Sequence, residues 1–252
     1  MYNRIKTDEE IANLRISGKI LSETLNLLKT EVKVGVSTQY LADRAKKNIK
    51  KLGGNPAFLG YGHPVPFPDV ICISVNDEVV HGLPSTERIL KNGNLVSLDL
   101  GVEYRGMITD SAITVICGTA NKELEDLVIH TKKALNVGLK VIKNGCRAGD
   151  IGFAIEKYIE RFGYGIVRDL VGHGVGHQVH EDPNIPNFGK KGTGDKLISG
   201  MTIAVEPMIT AGNYAVHIKD DHWTVATNDG SFAAHFEHTI LITDSGCEIL
   251  TA

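Results

Sequence analysis

The sequence predicts an α+β protein of two duplicated halves, each running helix, helix, strand, hairpin. Three observations carry that expectation. Two helical pairs show apolar residues at three- and four-residue steps, and strand-like apolar runs follow each pair. A shift of 110 residues also lays the second pair on the first.

The first helix opens at Thr7, which forms a capping box with Glu10, and carries Ile11, Leu14, Gly18, Leu21, Leu25 and Leu28 along one face. The second opens at Ser37 or Thr38, where a hydroxyl can cap it, and runs to Leu52 before Gly53 and Gly54 stop it. Strand-like runs come next, at Val70–Val75, Asn94–Val102 and Met107–Val115. The pattern then restarts: Leu124, Leu127, Ile129, Leu135, Leu139 and Ile142 mark a third helix, and Ile151, Ile155 and Ile159 a fourth that ends at Gly163. On the shift of 110, Gly35 falls on Gly145, Leu41 on Ile151, Ile49 on Ile159 and Gly53 on Gly163. Val80-His81-Gly82-Leu83-Pro84 is echoed by Val179-His180-Glu181-Asp182-Pro183, and Gly93 precedes Asp99 by six residues as Gly200 precedes Glu206. One domain over residues 1–252 is expected, with halves of about 1–120 and 121–252.

Composition narrows the function classes. Of 252 residues 23% are charged and 42% hydrophobic, which excludes a disordered or fibrous chain. A net charge of −3 gives no electrostatic footprint for nucleic acid or anionic lipid. No apolar run approaches the roughly 18–20 residues of a membrane span, and Met1–Asp8 lacks the apolar stretch of a signal peptide. Cys72, Cys117, Cys146 and Cys247 are scattered without a C-x-x-C pair, which points to reduced thiols in a cytoplasm.

The duplication locates chemistry. Asp99 matches Glu206 and Asp110 matches Glu237, and all four lie in apolar strand runs, where an ionised carboxylate is costly without a partner. Asp99 and Asp110 are expected directly opposite one another across a hairpin whose midpoint falls between Tyr104 and Arg105. If the halves pack about a pseudo-twofold axis, four carboxylates converge on one point. They cannot all ionise there without positive charge, and the nearest lysines and arginines lie on loops and helices. One divalent ion leaves a charge of about −2, whereas two neutralise the set. Taken singly, each carboxylate reads better as a surface or hydrogen-bonded strand residue; at four duplicated positions the metal reading prevails.

Among the histidines, His173 lies between Gly172 and Gly174, where the backbone can pack tightly and present the ring in a cleft, so it is the candidate nitrogen ligand. His81 and His180 hold equivalent places in the two halves and could contact a substrate amide and its developing oxyanion. His235 and His238 flank Glu237 and read as supporting or packing residues. No G-x-S-x-G elbow, Walker loop or dinucleotide fingerprint is present.

Asp99, Asp110, His173, Glu206 and Glu237, in that order and spacing, resemble the metal-ligand set of the pita-bread metallopeptidases. The strings from Ser74 to Pro84, Asp99-Leu100-Gly101, Thr109-Asp110-Ser111-Ala112, Gly172-His173-Gly174-Val175-Gly176 and Phe236-Glu237-His238-Thr239 look like those of type 1 methionine aminopeptidases, over essentially the whole chain. The resemblance implies a curved, mainly antiparallel central sheet with helices on its outer face. It also implies two divalent ions (cobalt, manganese, iron or zinc), bridged by Asp110 and Glu237. Asp99 would hold one ion, and His173 and Glu206 the other. A metal-bridging hydroxide would attack the first peptide carbonyl while Glu206 shuttles the proton. His180 would bond the carbonyl oxygen and His81 the scissile amide or the following residue. Tyr61 and Trp223 match positions lining the methionine pocket, with Cys72 nearby. The substrates implied are the amino termini of peptides and nascent polypeptides, acted on by a cytoplasmic monomer, with transient ribosome association left open.

The departures concern the pocket. Where many bacterial members carry a cysteine in this wall, the chain reads Asn55-Pro56-Ala57-Phe58-Leu59-Gly60-Tyr61, with a bulky Phe58 that would reshape the site, and the segment Gly62–Asp69 is proline-rich and slightly long. These departures leave open a dimetal aminopeptidase with another first-residue preference; a non-catalytic binding protein on the same fold is a separate alternative, which the survival of all five ligands and both histidines disfavours.

Overall fold

Side-chain oxygens satisfy the free amides at most of the helix starts, as the sequence signals require. In the computed structural model, which describes residues 5–252, helix α1 spans Asp8–Glu31 and opens on the reciprocal Thr7–Glu10 capping box. Ser37 caps α2 (Thr38–Lys51) and Asn121 caps α3 (Lys122–Lys140). Helix α4 (Ala148–Ile159) continues into one 3-10 turn, which Gly163 ends with a φ of 72°. The α3 stripe differs from its expectation. Ile129 is exposed, and Leu127, Thr131, Ala134, Leu135 and Gly138 form the buried face. Ile142 is buried just beyond the helix end.

The strands of the first half are β1 (Asn55–Pro56), β2 (Cys72–Val75), β3 (Glu78–Val80), β4 (Leu95–Tyr104) and β5 (Met107–Ile116). The antiparallel hairpin β4–β5 corrects one expectation. Its turn is Arg105–Gly106, with φ of 49° and 81°, because a two-residue turn matching the strand twist needs positive φ at both places. The hairpin centre therefore sits one residue later than expected. Asp110 pairs with Gly101 and Asp99 with Ala112, so the two aspartates are diagonal neighbours on one face, not directly opposite. Gly101 is glycine for a steric reason: a Cβ there would lie 2.7 Å from the Phe58 ring.

The second half contributes β6 (Gly165–Ile166), β7 (Gly172–Gly174), β8 (Glu181–Ile185), β9 (Thr202–Val205), β10 (Met208–Thr210), β11 (Val216–Ile218), β12 (Val225–Thr227), β13 (Ala233–His235), β14 (His238–Ile242) and β15 (Cys247–Ile249). Its five-stranded sheet has the order β15-β14-β9-β7-β8. The run β7–β9–β14 thus repeats β2–β4–β5, with the acidic strands adjacent and antiparallel in both. One step past the Val205–His238 pair, this register sets Glu206 opposite Glu237. Residues 207–236, which hold β10–β13, replace the tight turn of the first half.

Alternation along β4 sends Val96, Leu98, Leu100 and Val102 into the core under α1 and α2, and turns Asp99 and Gly101 to the other face. A second core packs α3 and α4 on β9 and β14 through Leu135, Ile151, Ile155, Ile203 and Ile240. The halves meet along β5 and residues 235–239. Glu237 N–H donates to Ala112 O at 2.9 Å, and Ser111 Oγ donates to Glu237 O at 2.6 Å. Asp110 N–H donates to Thr239 Oγ1, which donates back to Asp110 O, each at 2.8 Å. The backbones bearing Asp110 and Glu237 are therefore clamped to one another.

Glycines set the position of His173. A Cβ at Gly172 would stand 2.4 Å from Ala204 O, and one at Gly174 2.2 Å from Asp182 O, both backbone atoms that cannot swing away. Gly174→Ala is expected to destabilise the fold by ~1–3 kcal/mol through overpacking. Calorimetry should record a midpoint lower by about 2–10 °C; an unchanged midpoint would mean that the neighbouring strand yields.

Candidate metal centre

All five residues of the expected ligand set, and all six of the expected pocket, line one cavity of about 190 Å³. Strands β4 and β5 bring Asp99 and Asp110, the segments flanking β9 and β14 bring Glu206 and Glu237, and β7 brings His173. One atom each from Asp110, His173 and Glu237 lies within 4.8 Å of the others. Glu206 completes the group, with its two carboxylate oxygens 3.4 Å from His173 Nε2 and 3.5 Å from His235 Nε2.

The electrostatics are those of an uncompensated acidic cluster. Among the described residues no lysine or arginine forms an ion pair with any of the four carboxylates. Burial, then the charges of Asp110 and Glu206, push Asp99 well above the usual carboxylate range. Burial and the charge of Glu206 push Asp110 up to about 8, and burial pushes Glu206 up to about 8. Burial, then the charges of its three partners, also raises Glu237 well above its ordinary value. Asp99 Oδ1, Asp110 Oδ1 and Glu237 Oε1 are buried without a hydrogen-bond partner. Buried acceptors left unpaired while several acids repel one another are what a cation would satisfy.

The imidazoles fit the same demand. His173 Nδ1 lies 2.9 Å from Gly174 O; as an N–H it donates there, which leaves the Nε2 lone pair facing Glu206. Burial lowers His173 to about 3, so the ring is neutral and able to ligate. Both nitrogens of buried His235 lack hydrogen-bond partners, and burial lowers this ring to about 3. His235 is legible in the sequence only as a supporting residue. An oxygen-rich set with neutral imidazoles and no thiolate suits manganese, iron, cobalt or zinc.

Beyond the acids the cavity is apolar and aromatic. Cys72 pairs with Asp99 across β2–β4, which places its thiol at the junction of the acidic and apolar ends. Phe67 stacks edge-on against Phe58 at 6.4 Å and against Trp223 at 5.2 Å. His81 has a left-handed φ of 59° and stands edge-on to Trp223 at 6.0 Å. His180 Nδ1 meets the Tyr61 hydroxyl at 2.6 Å, and its ring lies 4.2 Å from that of His173. Sequence reasoning missed Phe67, Val80 and Val179 as lining residues. Phe67 sits between two prolines in an irregular loop, where no periodicity announces burial, and Val80 and Val179 precede the two conspicuous histidines. His177 does not line this cavity, and its Nε2 meets Glu10 at 2.7 Å.

Comparison with known proteins agrees with this geometry. The model of metallopeptidase family M24 matches residues 12–244. A methionine aminopeptidase of Clostridium acetobutylicum is 46% identical over 247 residues, 98% of each chain. The solved structure of a Thermotoga maritima methionine aminopeptidase matches with a TM-score of 0.96 at 44% identity, over 100% of this chain and 99% of that one. A prolidase of Pyrococcus furiosus matches with a TM-score of 0.78 at 25% identity, over 98% of this chain but 65% of its own. The shared architecture is the pita-bread fold.

Proposed function

The chain belongs to metallopeptidase family M24, and we propose from that premise that it removes the amino-terminal methionine of peptides and nascent proteins in a metal-dependent hydrolysis. The observation that carries this reading is one small cavity with five metal-suited side chains at one end and an aromatic pocket at the other. At about 190 Å³ the cavity lies below the ~300–1,000 Å³ of pockets for drug-sized ligands, so it suits one residue. That restriction supports cleavage after a terminal residue only.

Asp99, Asp110, His173, Glu206 and Glu237 would hold two divalent ions. Such ions supply a water activated at neutral pH and a Lewis acid for the scissile carbonyl. Glu206, which lines the cavity with an oxygen 3.4 Å from His173 Nε2, would move the proton from the attacking water to the leaving amine. Burial raises the Tyr61 phenol, which stays protonated and so can donate to His180 Nδ1, 2.6 Å away. That bond leaves the hydrogen of His180 on Nε2, ready to donate to the carbonyl oxygen as it gains charge. Burial lowers His81 to about 4, so a neutral ring faces the scissile amide. Phe58, Phe67, Trp223 and Cys72 bind a flexible thioether side chain, which packs well on aromatic edges. Four free cysteines support a reducing compartment, and among the described residues no helix is long and apolar enough to cross a membrane.

Release of the first residue from Met-Ala-Ser and from matched peptides beginning with Leu or Ala tests the reading. Each is assayed after metal stripping and again with manganese, iron, cobalt or zinc. Metal-dependent cleavage confined to the methionine peptide is expected. Cleavage of the leucine peptide would reassign the substrate and point to Phe58; no cleavage with any metal would favour the binding-protein alternative.

A further inference from the structure

A fully buried lysine needs an explanation, because ammonium groups rarely leave water unpaired. Lys6, two residues ahead of α1, has a side chain only 1% exposed, and its Nζ lies 2.9 Å from Oε2 of Glu181, itself 6% exposed. The second oxygen, Oε1, accepts the backbone N–H groups of His177 at 2.5 Å and Gln178 at 2.9 Å. One carboxylate thus closes the turn 177–181 from below while a buried cation from 175 residues away holds it in place. The lysine stem also fits the turn sterically: a Cβ on Gly176 would stand 2.4 Å from Lys6 Cε.

The turn leads to the chemistry. It carries Val179 into the cavity wall and His180 to the Tyr61 hydroxyl. On its other side Gly176 O accepts the N–H of Ile108, on the strand that bears Asp110. The lysine's backbone N–H donates to Gly200 O at 2.9 Å, and Glu10 of α1 separately meets His177 Nε2 at 2.7 Å, so the start of the chain holds the turn at a second point. A buried ion pair contributes little net stability, because desolvation offsets the attraction. Its consequence here is geometric.

We propose that Lys6 and Glu181 are positioning residues for hydrolysis, an internal clamp by which the segment ahead of α1 sets the turn that carries Val179 and His180. The proposal rests on the reading of His180 as the group that meets the substrate carbonyl. Lys6 neutralises and aims the Glu181 carboxylate, the carboxylate fixes two consecutive amides, and these fix the direction of the next two side chains.

The test compares metal-loaded parent with Lys6→Met and Glu181→Gln in Met-Ala-Ser hydrolysis, with amide hydrogen exchange on the same samples. In both variants exchange at His177 and Gln178 is expected to quicken at least tenfold. A displaced His180 is expected to lower kcat by ~10–100-fold while KM changes less than about threefold. Where Lys6→Met fails to fold, Glu181→Gln, which keeps size and removes charge, decides. A folded Glu181→Gln with kcat within twofold of the parent, or unchanged exchange at both amides, overturns the clamp. A parent that releases no methionine defeats the functional reading instead, and exchange in the variants still decides whether Lys6 sets the turn.

Discussion

Asp110→Ala is expected to lower kcat/KM for methionine release by at least about a thousandfold, ~4 kcal/mol of barrier, and to strip the protein of at least one metal ion per chain. Asp110 stands diagonal to Asp99 across the hairpin, and it shares its ligand group with His173 and Glu237. Its backbone N–H and C=O both bond the Thr239 hydroxyl, which fixes the place from which its carboxylate projects. The same substitution should raise the stability of the metal-free protein, because it removes one buried acid from a cluster that desolvation and mutual repulsion oppose. A merely structural aspartate would give the reverse sign. Metal analysis, peptide kinetics and a melting curve in chelator check the three parts; hydrolysis retained by a variant that binds no metal would refute the assignment.

The parts of this fold that repeat are legible in the amino-acid sequence itself. A capping box at Thr7 and Glu10, a glycine after Ile159 and two acidic pairs at matching places are local signals with local causes. Registers are less legible. The sequence places Asp99 and Asp110 on the two strands of one hairpin, but only the φ > 0 turn at Arg105–Gly106 sets the register that puts them on one face and decides which residue each opposes. In the second half the adjacency of Glu206 and Glu237 spans an excursion of 207–236, which no turn rule predicts. The pocket is half legible: Phe58, Tyr61 and Trp223 are aromatic residues at recognisable places, whereas Phe67 is buried only because the 62–69 loop folds back, with Phe67 N–H donating to Tyr61 O at 2.7 Å. The Lys6–Glu181 pair is invisible in the sequence, because no spacing rule connects a charged terminal residue with a turn 175 residues away.

Chelated protein is expected to lose stability as pH rises above about 6.5, and divalent metal to abolish that loss. Asp110 and Glu206 are pushed up to about 8, from 3.8 and 4.5, and Asp99 and Glu237 move the same way. Between the unfolded and folded values the folded state therefore holds more protons than the unfolded chain. Unfolding free energy falls with pH under that condition, so the contribution is complete below the unfolded values and is lost as pH rises through about 8. The buried histidines oppose this over part of the range. His81 and His238 are lowered to about 4, and His173 and His235 to about 3, chiefly by burial, so the unfolded chain binds more protons up to their ordinary 6.5. Below pH ~6.5 the two groups offset one another, and above it the carboxylates act alone. The expected loss from about pH 6.5 to about pH 8 is ~2–4 kcal/mol, or some 4–15 °C in midpoint. Bound cations favour the ionised carboxylates over the whole window and so remove the proton uptake that drives the slope. Melting curves at several pH values, in chelator and in excess manganese, measure the difference. Parallel flat profiles in the two conditions would mean that the four acids are already compensated by the protein, and would remove the electrostatic argument for metal at this centre.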